Sequence, residues 1–331
     1  MAKSEYKAYW VEKDDNGTFS NAVVMRGVDD LPAGDVLIRV HFSSLNYKDA
    51  LSASGKPGVT REYPHTPGID AAGIVEQSSS DKFAVGDEVI VTGYDLGMST
   101  FGGFAEYIRV PAAWVIPLPE GLGLRDSMIL GTAGLTAGLS VSKLLSNGVS
   151  TEERVAVTGA TGGVGCIAVA LLAKLGFDVD AVSGKTDAKV WLCSNGANSL
   201  INRDEYLSES KRVVLKPRWG GIVDTVGGDY IEQGLKQLAP GGSISCCGMV
   251  ASPQFASSVF PFILRGVNLL GIDSVEISQQ QKTGIWQKFA AEWKLDGLES
   301  LVNEIDLYQL SDQIDAILKG QVQGRVLVRL I

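Results

Sequence analysis

Residues 43–50 read SSLNYKDA, and four of them, Asn46, Tyr47, Lys48 and Asp49, set an amide, a phenol, an ammonium and a carboxylate side by side. A phenol or an amide can donate a hydrogen bond to an oxygen that gains negative charge during a reaction. Asp49 is expected to cap or brace the turn that follows. Lys48 reads either as solvated or as a partner for an anionic ligand. The cluster is thus a polar surface turn or a donor site, and the rest of the chain must decide.

A second stretch bears directly on ligand binding. VAVTGATGGVG follows a strand pattern and opens a helix pattern, the context in which a glycine fingerprint carries meaning. In the G-x-G-x-x-G register, Ala160 stands at the first position, and Gly162 and Gly165 at the second and third. Gly162 lets the backbone approach a pyrophosphate, and Gly165 allows close helix–strand packing. Thr161, Gly162, Gly163 and Val164 then face the phosphates at a helix N-terminus, which carries free N–H groups and partial positive charge.

The end of the next strand chooses between NAD and NADP. An NAD site places an acid there for the ribose hydroxyls. Here the tip reads Ser183, Gly184, Lys185, and Asp178 and Asp180 come too early. Ser183 and Lys185, joined by Arg203, suit a 2′-phosphate; the plainer reading of Lys185 is a solvated loop lysine. A charge-assisted hydrogen bond contributes ~1.5–3 kcal/mol, enough to favour NADPH.

The elements that must position these groups follow from periodicity. DVLIRVHFSSL alternates as a half-buried strand, and AAGIVEQ, DEVIVTG and FAEYIRVP are short strands, which together suggest a small barrel or sandwich. Near residue 124 the pattern changes. Asp126 is placed to cap a long apolar helix, MILGTAGLTAGLSVSKLL; its glycines and Lys143 keep it short of a membrane span, and it reads as buried. Strands and helices then alternate from ERVAVTG to GVNLLGIDS, with DYIEQGLKQLAPGG as a helix closed by glycine. That order means a parallel, doubly wound sheet. The tail offers a helix at QKFAAEWKLDG, another at LSDQIDAILKG, and the strand GRVLVRLI. The fold class is therefore α/β: a Rossmann-type domain over 124–273, inserted in a β-rich domain built from 1–123 and 274–331.

Composition limits the function. The 331 residues suggest about two domains. A formal charge of −9 argues against a nucleic-acid binder, though a small anionic ligand needs only a local basic pocket. Arg61, Arg125, Arg265 and Lys294 are the candidates for such a rim. The N-terminus shows no apolar signal core, and none of the four cysteines has CxxC spacing, so reduced thiols and a cytoplasmic location are expected. His41, in a strand, and His65, before a turn, are read as structural.

The ordered set PGIDAAG, VGDEVIVTG, GGFAEY, GATGGVG, DTVGG and GRVLV resembles the medium-chain dehydrogenase/reductase superfamily over nearly the whole chain. SSLNYKDAL, YPHTPGIDAAG and PFILRGVNLLGIDS are similar to its NADPH-dependent acryloyl-CoA reductases. That resemblance implies a GroES-like catalytic domain beside the Rossmann-type domain. It also implies cofactor contacts from Tyr47, Gly248, Ser274 and Arg325. Zinc members carry a cysteine ligand where Asn46 stands and a Gly-His-Glu where Gly68-Ile69-Asp70 stands. No cysteine precedes Cys166, so the four-cysteine structural lobe has no counterpart either, and no metal is expected.

Without a Lewis acid, reduction of an activated C=C bond or a quinone is easier than alcohol oxidation. Tyr47 is the first candidate to stabilise an enolate and Asn46 the second; the plainer reading of Tyr47 is a cleft wall. The expected substrate is a small enoyl-CoA, with a quinone as the alternative and a cofactor-binding protein without turnover as the reading from another class. GVNLLGIDS is expected as an edge strand that pairs with its twin in a homodimer.

Overall fold

Val36, Ile38 and Val40 turn to one face of the Val36–Leu45 strand and pack with Val89, Val91, Ile108 and Val110. Leu37 turns the other way, into a cluster with Tyr6, Ala8 and Tyr107. The strand is therefore buried on both faces. The second cover comes from an N-terminal antiparallel hairpin, Glu5–Lys13 with Phe19–Gly27, two strands beyond those expected from the sequence. The computed structural model describes residues 4–208 and 212–331.

These strands belong to a first unit of Met1–Thr132, Val275–Glu292 and Val302–Ile331. Its seven-stranded sheet runs Val302–Asp306, Arg325–Arg329, Val36–Leu45, Asp70–Ser78, Glu88–Thr92 and Val115–Pro117, with Tyr107–Val110 also paired to Val36–Leu45. The C-terminal strand is antiparallel to Val36–Leu45, opposing Leu45 with Val326. That pairing carries Arg325 to the end of the strand that leads into Asn46.

The second unit is Ala133–Ser274 with Trp293–Leu301. Its six strands are all parallel, in the order Ser199–Asn202, Asp178–Ser183, Arg154–Thr158, Trp219–Asp224, Leu238–Cys246 and Asn268–Gly271. The units part after Thr132 and Ser274, where the sequence expectation has 123 and 273, and residues 293–301 go with the second unit.

Four elements differ from the sequence reading. The long apolar helix starts at Leu124, so Asp126 sits inside its first turn and does not cap it. Leu124–Ser146 is long and apolar enough to cross a membrane by length and composition, yet 78% of its apolar window is buried. Gly131, at φ 53° and ψ −155°, breaks it into two segments. The Asp229–Gln237 helix ends without glycine, and the APGG run lies in the Leu238–Cys246 strand. Leu238 already leaves the helical region at φ −62° and ψ 143°, and Pro240, which disfavours a helical Ala239, keeps the chain extended. The helix placed over QKFAAEWKLDG runs instead from Gln279 to Ala290. It is set by a capping box between Ser278 and Gln281 and stopped at Ala291, whose φ of −125° and ψ of −108° are not helical.

Candidate active site

The Gly163–Lys174 helix begins at Gly162, its N-cap, so Gly163 and Val164 are the first two helical residues. Their N–H groups belong to the first turn, which a helix cannot satisfy internally. Gly162 donates to Gly159 O at 2.9 Å. A Cβ on Gly165 would lie 2.3 Å from that same oxygen, so Gly165 has the close-packing role assigned to it. The sharp turn belongs to Gly159 rather than Ala160. Gly159 has φ +59°, and a Cβ there would sit 2.4 Å from Thr225 Oγ1. The glycine missing from the fingerprint is present one residue earlier.

At the tip of the next strand, Ser183 Oγ accepts from Lys185 N at 3.1 Å and lies 3.3 Å from Thr161 Oγ1. A Cβ added to Gly184 would be 3.3 Å from both Cζ and Nη1 of Arg203, so the guanidinium lies across the bare face of that glycine. Ser183, Gly184, Lys185 and Arg203 are thus brought together. Burial lowers the Lys185 pKa, opposed by Asp187. Asp178 and Asp180 serve elsewhere: Arg154 pairs with both, at 3.0 and 2.6 Å. Asp180 also accepts from Ser199 Oγ at 2.7 Å and Trp219 Nε1 at 2.8 Å. A phosphorylated ribose fits this tip, which offers cations and a hydroxyl; the acids beside it, Asp187 and Asp204, lie against those cations, Asp204 at 3.4 Å from Arg203 Nε.

Gly248 packs against the Thr225–Val226 peptide so closely that a Cβ would fall 1.9 Å from Thr225 C. Ser274 is buried and accepts from Thr136 Oγ1 at 2.8 Å. Arg265, one of the proposed rim residues, is used within this unit; it donates to the carbonyls of Lys236, Leu238 and Leu215.

In the first unit, Asn46 caps the short Tyr47–Ala53 helix. Its Nδ2 approaches Asp70 Oδ2 at 2.8 Å, Asp49 Oδ2 at 3.2 Å and Ser44 O at 3.2 Å. Its Oδ1 accepts from Arg325 Nη1 at 3.3 Å. Both amide hydrogens of Asn46, expected as the second donor, are committed to these acceptors. Arg325, expected as a cofactor contact, is the brace of this corner: its Nε donates to Ile129 O at 2.8 Å and its Nη1 to Leu45 O at 3.3 Å.

Asp70, which the sequence reading assigned no role, is the hub. It is fully buried and accepts from Ser44 Oγ at 2.6 Å, Thr132 Oγ1 at 2.6 Å and Thr132 N at 2.9 and 3.1 Å, besides Asn46. Asp49, also buried, accepts from Asn46 N and Ile69 N, both at 2.8 Å, the bracing role expected of it. Burial first, and then the charge of Asp70, push its carboxyl up to about 7. Tyr47, by contrast, is 38% exposed at the first helical position. The corner holds one exposed donor on a helix start fixed by a buried polar network.

His65 is buried beside Tyr63 and Phe101, and burial lowers its pKa; His41 lies in the Val36–Leu45 strand, its pKa lowered likewise. Arg125 is paired with Glu304 at 2.9 Å. Among the described residues, no three His, Cys, Asp or Glu side chains converge as a metal-holding group.

Comparison with known proteins identifies the family. The alcohol dehydrogenase GroES-like domain model matches residues 32–120, and the zinc-binding dehydrogenase model matches 163–291. The acrylyl-CoA reductase AcuI of Ruegeria pomeroyi is 42% identical over 98% of this chain and 98% of its own. YhfP of Bacillus subtilis, whose quinone oxidoreductase name is provisional, is 44% identical over 91% of this chain and 92% of its own. Its NAD-bound crystal structure superposes with a TM-score of 0.96, at 42% identity, covering 99% of this chain and 100% of that one. The NADP complex of the yhdH oxidoreductase from Salmonella enterica gives a TM-score of 0.95 at 41% identity, covering 98% and 100%. The chain belongs to the medium-chain dehydrogenase/reductase superfamily and is an oxidoreductase with a GroES-like and a Rossmann-type domain.

Proposed function

We propose that this protein reduces the activated C=C bond of a small enoyl thioester, acryloyl-CoA or a close relative, at the expense of NADPH. The cofactor is NADPH, in keeping with the Ser183–Gly184–Lys185 tip, the guanidinium over Gly184 and the NADP-bound relative. When bound it supplies the hydride equivalent, delivered to the β-carbon of the substrate. What the chain must add is a donor for the thioester oxygen as it becomes an enolate, and a proton for the α-carbon.

One observation carries the reading. At the turn where zinc members hold their first ligand, Asn46 is locked between two carboxylates and Arg325, and Tyr47 is left exposed beside it. Tyr47 is the donor in this reading. A residue of that kind is worth ~2.7–4 kcal/mol of barrier. The names of the AcuI relatives support an enoyl-CoA substrate; the name of YhfP supports a quinone as the alternative.

NADPH oxidation with acryloyl-CoA, crotonyl-CoA and a benzoquinone in parallel, with NADH as control, tests it. Turnover of quinone without turnover of either thioester would overturn the substrate assignment. Tyr47→Phe is expected to lower kcat by about 100-fold or more and to weaken NADPH binding much less; wild-type turnover would remove Tyr47 from the mechanism.

The reading includes a homodimer in the cytoplasm. The Asn268–Gly271 strand has a sheet neighbour on one side only, among the described residues, and Val259, Ile263 and Leu264 are exposed just before it. An open edge flanked by apolar surface needs a cover, and a second copy supplies both strand and surface.

A further inference from the structure

The open-sheet rule puts a dinucleotide across the carboxyl ends of parallel strands. In this sheet the 2′-phosphate end falls at Asp178–Ser183 and the pyrophosphate at the turn after Arg154–Thr158, so the nicotinamide half extends toward the ends of Trp219–Asp224 and Leu238–Cys246. The buried carboxylate at that end is Asp224, last residue of its strand and fully enclosed. It belongs to the DTVGG run, which neither the fingerprint nor the Tyr47 corner uses.

Asp224 joins three strand ends. Its Oδ1 accepts from Thr158 Oγ1 at 2.6 Å, at the end of the preceding strand in the sheet. Its Oδ2 accepts from Gly227 N at 2.9 Å, closing its own loop. Its carbonyl accepts from Cys247 N at 3.0 Å, in the loop after the following strand. Thr158 passes the constraint on: its Oγ1 accepts from Thr225 N at 3.1 Å, and its carbonyl accepts from Thr225 Oγ1 at 2.8 Å. Thr225 is then wedged between Gly159 on one side and Gly248 on the other, with no room for a Cβ at either.

We infer that Asp224 is a positioning residue that sets the Thr225–Gly228 turn against Gly159 and Gly248, and so shapes the cradle for the nicotinamide half of NADPH. The job requires two acceptor faces. An asparagine has one: turned to Thr158 it presents an NH2 to the Gly227 N–H, and turned to Gly227 it presents an NH2 to a hydroxyl that then loses its acceptor. Either way one contact in the cradle is lost.

The test uses the full chain and two ligands, NADPH and adenosine 2′,5′-bisphosphate, which contains only the phosphorylated-ribose end. Asp224→Asn is expected to raise the NADPH Kd about tenfold, the effect of one mismatched buried hydrogen bond, while the bisphosphate Kd stays within about twofold. Thr158→Val should copy that pattern and Thr158→Ser should keep the parent affinity. If Asp224→Asn fails to fold, the Thr158 pair carries the same comparison. An unchanged NADPH Kd in the variant, or equal weakening of both ligands, would overturn the assignment.

Discussion

Asp70→Asn changes one oxygen for an NH2 of the same shape, at the hub of the Asn46 corner. Asp70 presents acceptors to four donor groups: the Ser44 hydroxyl, the Asn46 amide, the Thr132 hydroxyl and the Thr132 N–H. Asparagine can turn its oxygen to the Thr132 pair, which leaves its NH2 against Ser44 and Asn46. The Ser44 hydroxyl can rotate to accept. Asn46 cannot flip, because its oxygen takes a hydrogen bond from Arg325 and its nitrogen faces Asp49. One buried donor is left facing a donor, a loss of ~1–3 kcal/mol, and the bonds that remain lose their charge assistance. Relief from burying a charge works in the other direction, so the net expectation is about 2 kcal/mol. For a domain of this size that is roughly 4–8 °C in Tm by calorimetry. An unchanged or raised Tm would refute the hub role.

The same variant has a pH signature. Asp49, pushed up from 3.8 to about 7, first by burial and then by the charge of Asp70, holds its proton more tightly folded than unfolded. The resulting stabilisation is full below the unfolded pKa and is lost as pH rises from about 4 toward about 7. Removing the Asp70 charge lowers the upper end of that window. Urea unfolding at intervals from pH 5 to 8 should show the parent still losing stability between pH 6 and 7 and Asp70→Asn losing less there. Equal slopes for the two proteins would mean that the carboxylates do not sense each other.

Two further outcomes are expected. Gly131→Ala places a Cβ 2.3 Å from Ser44 Oγ and 2.6 Å from Asp70 Oδ2 at a positive φ; it should cost roughly 3 kcal/mol or more in chemical unfolding, and a cost below about 1 kcal/mol would show that the break in the helix is not set by this packing. The protein should sediment as a dimer of the 35.1 kDa chain, and Ile263→Lys, at a position 70% exposed in the single chain, should return it to the monomer mass; a monomeric parent would refute the paired edge.

What the sequence revealed and what it hid divide along a physical line. Asn46, Tyr47 and Asp49 are neighbours in the chain, and so are Gly162, Gly163 and Val164; their grouping needs one turn and one helix start, and local signals place both. Asp70, Thr132 and Arg325 meet only because antiparallel register sets Val326 opposite Leu45 and Gly131 breaks a helix, and no local pattern encodes either event. The same limit applies to Asn46 and Arg325. Asn46 reads by type as a donor, and only its partners show that both amide hydrogens are used; Arg325 reads as a charge for a ligand, and only its partners show it bracing that amide. The proposed donor, Tyr47, is thus a local reading, while the network that fixes its helix comes from strands up to 280 residues apart in sequence. Substitutions in that network should act on Tyr47 through the start of its helix: Asp70 is bonded to Asn46, the residue before Tyr47, so a positioned donor predicts that Asp70→Asn lowers kcat as well as Tm, and an exposed tyrosine on a surface turn predicts a change in Tm alone.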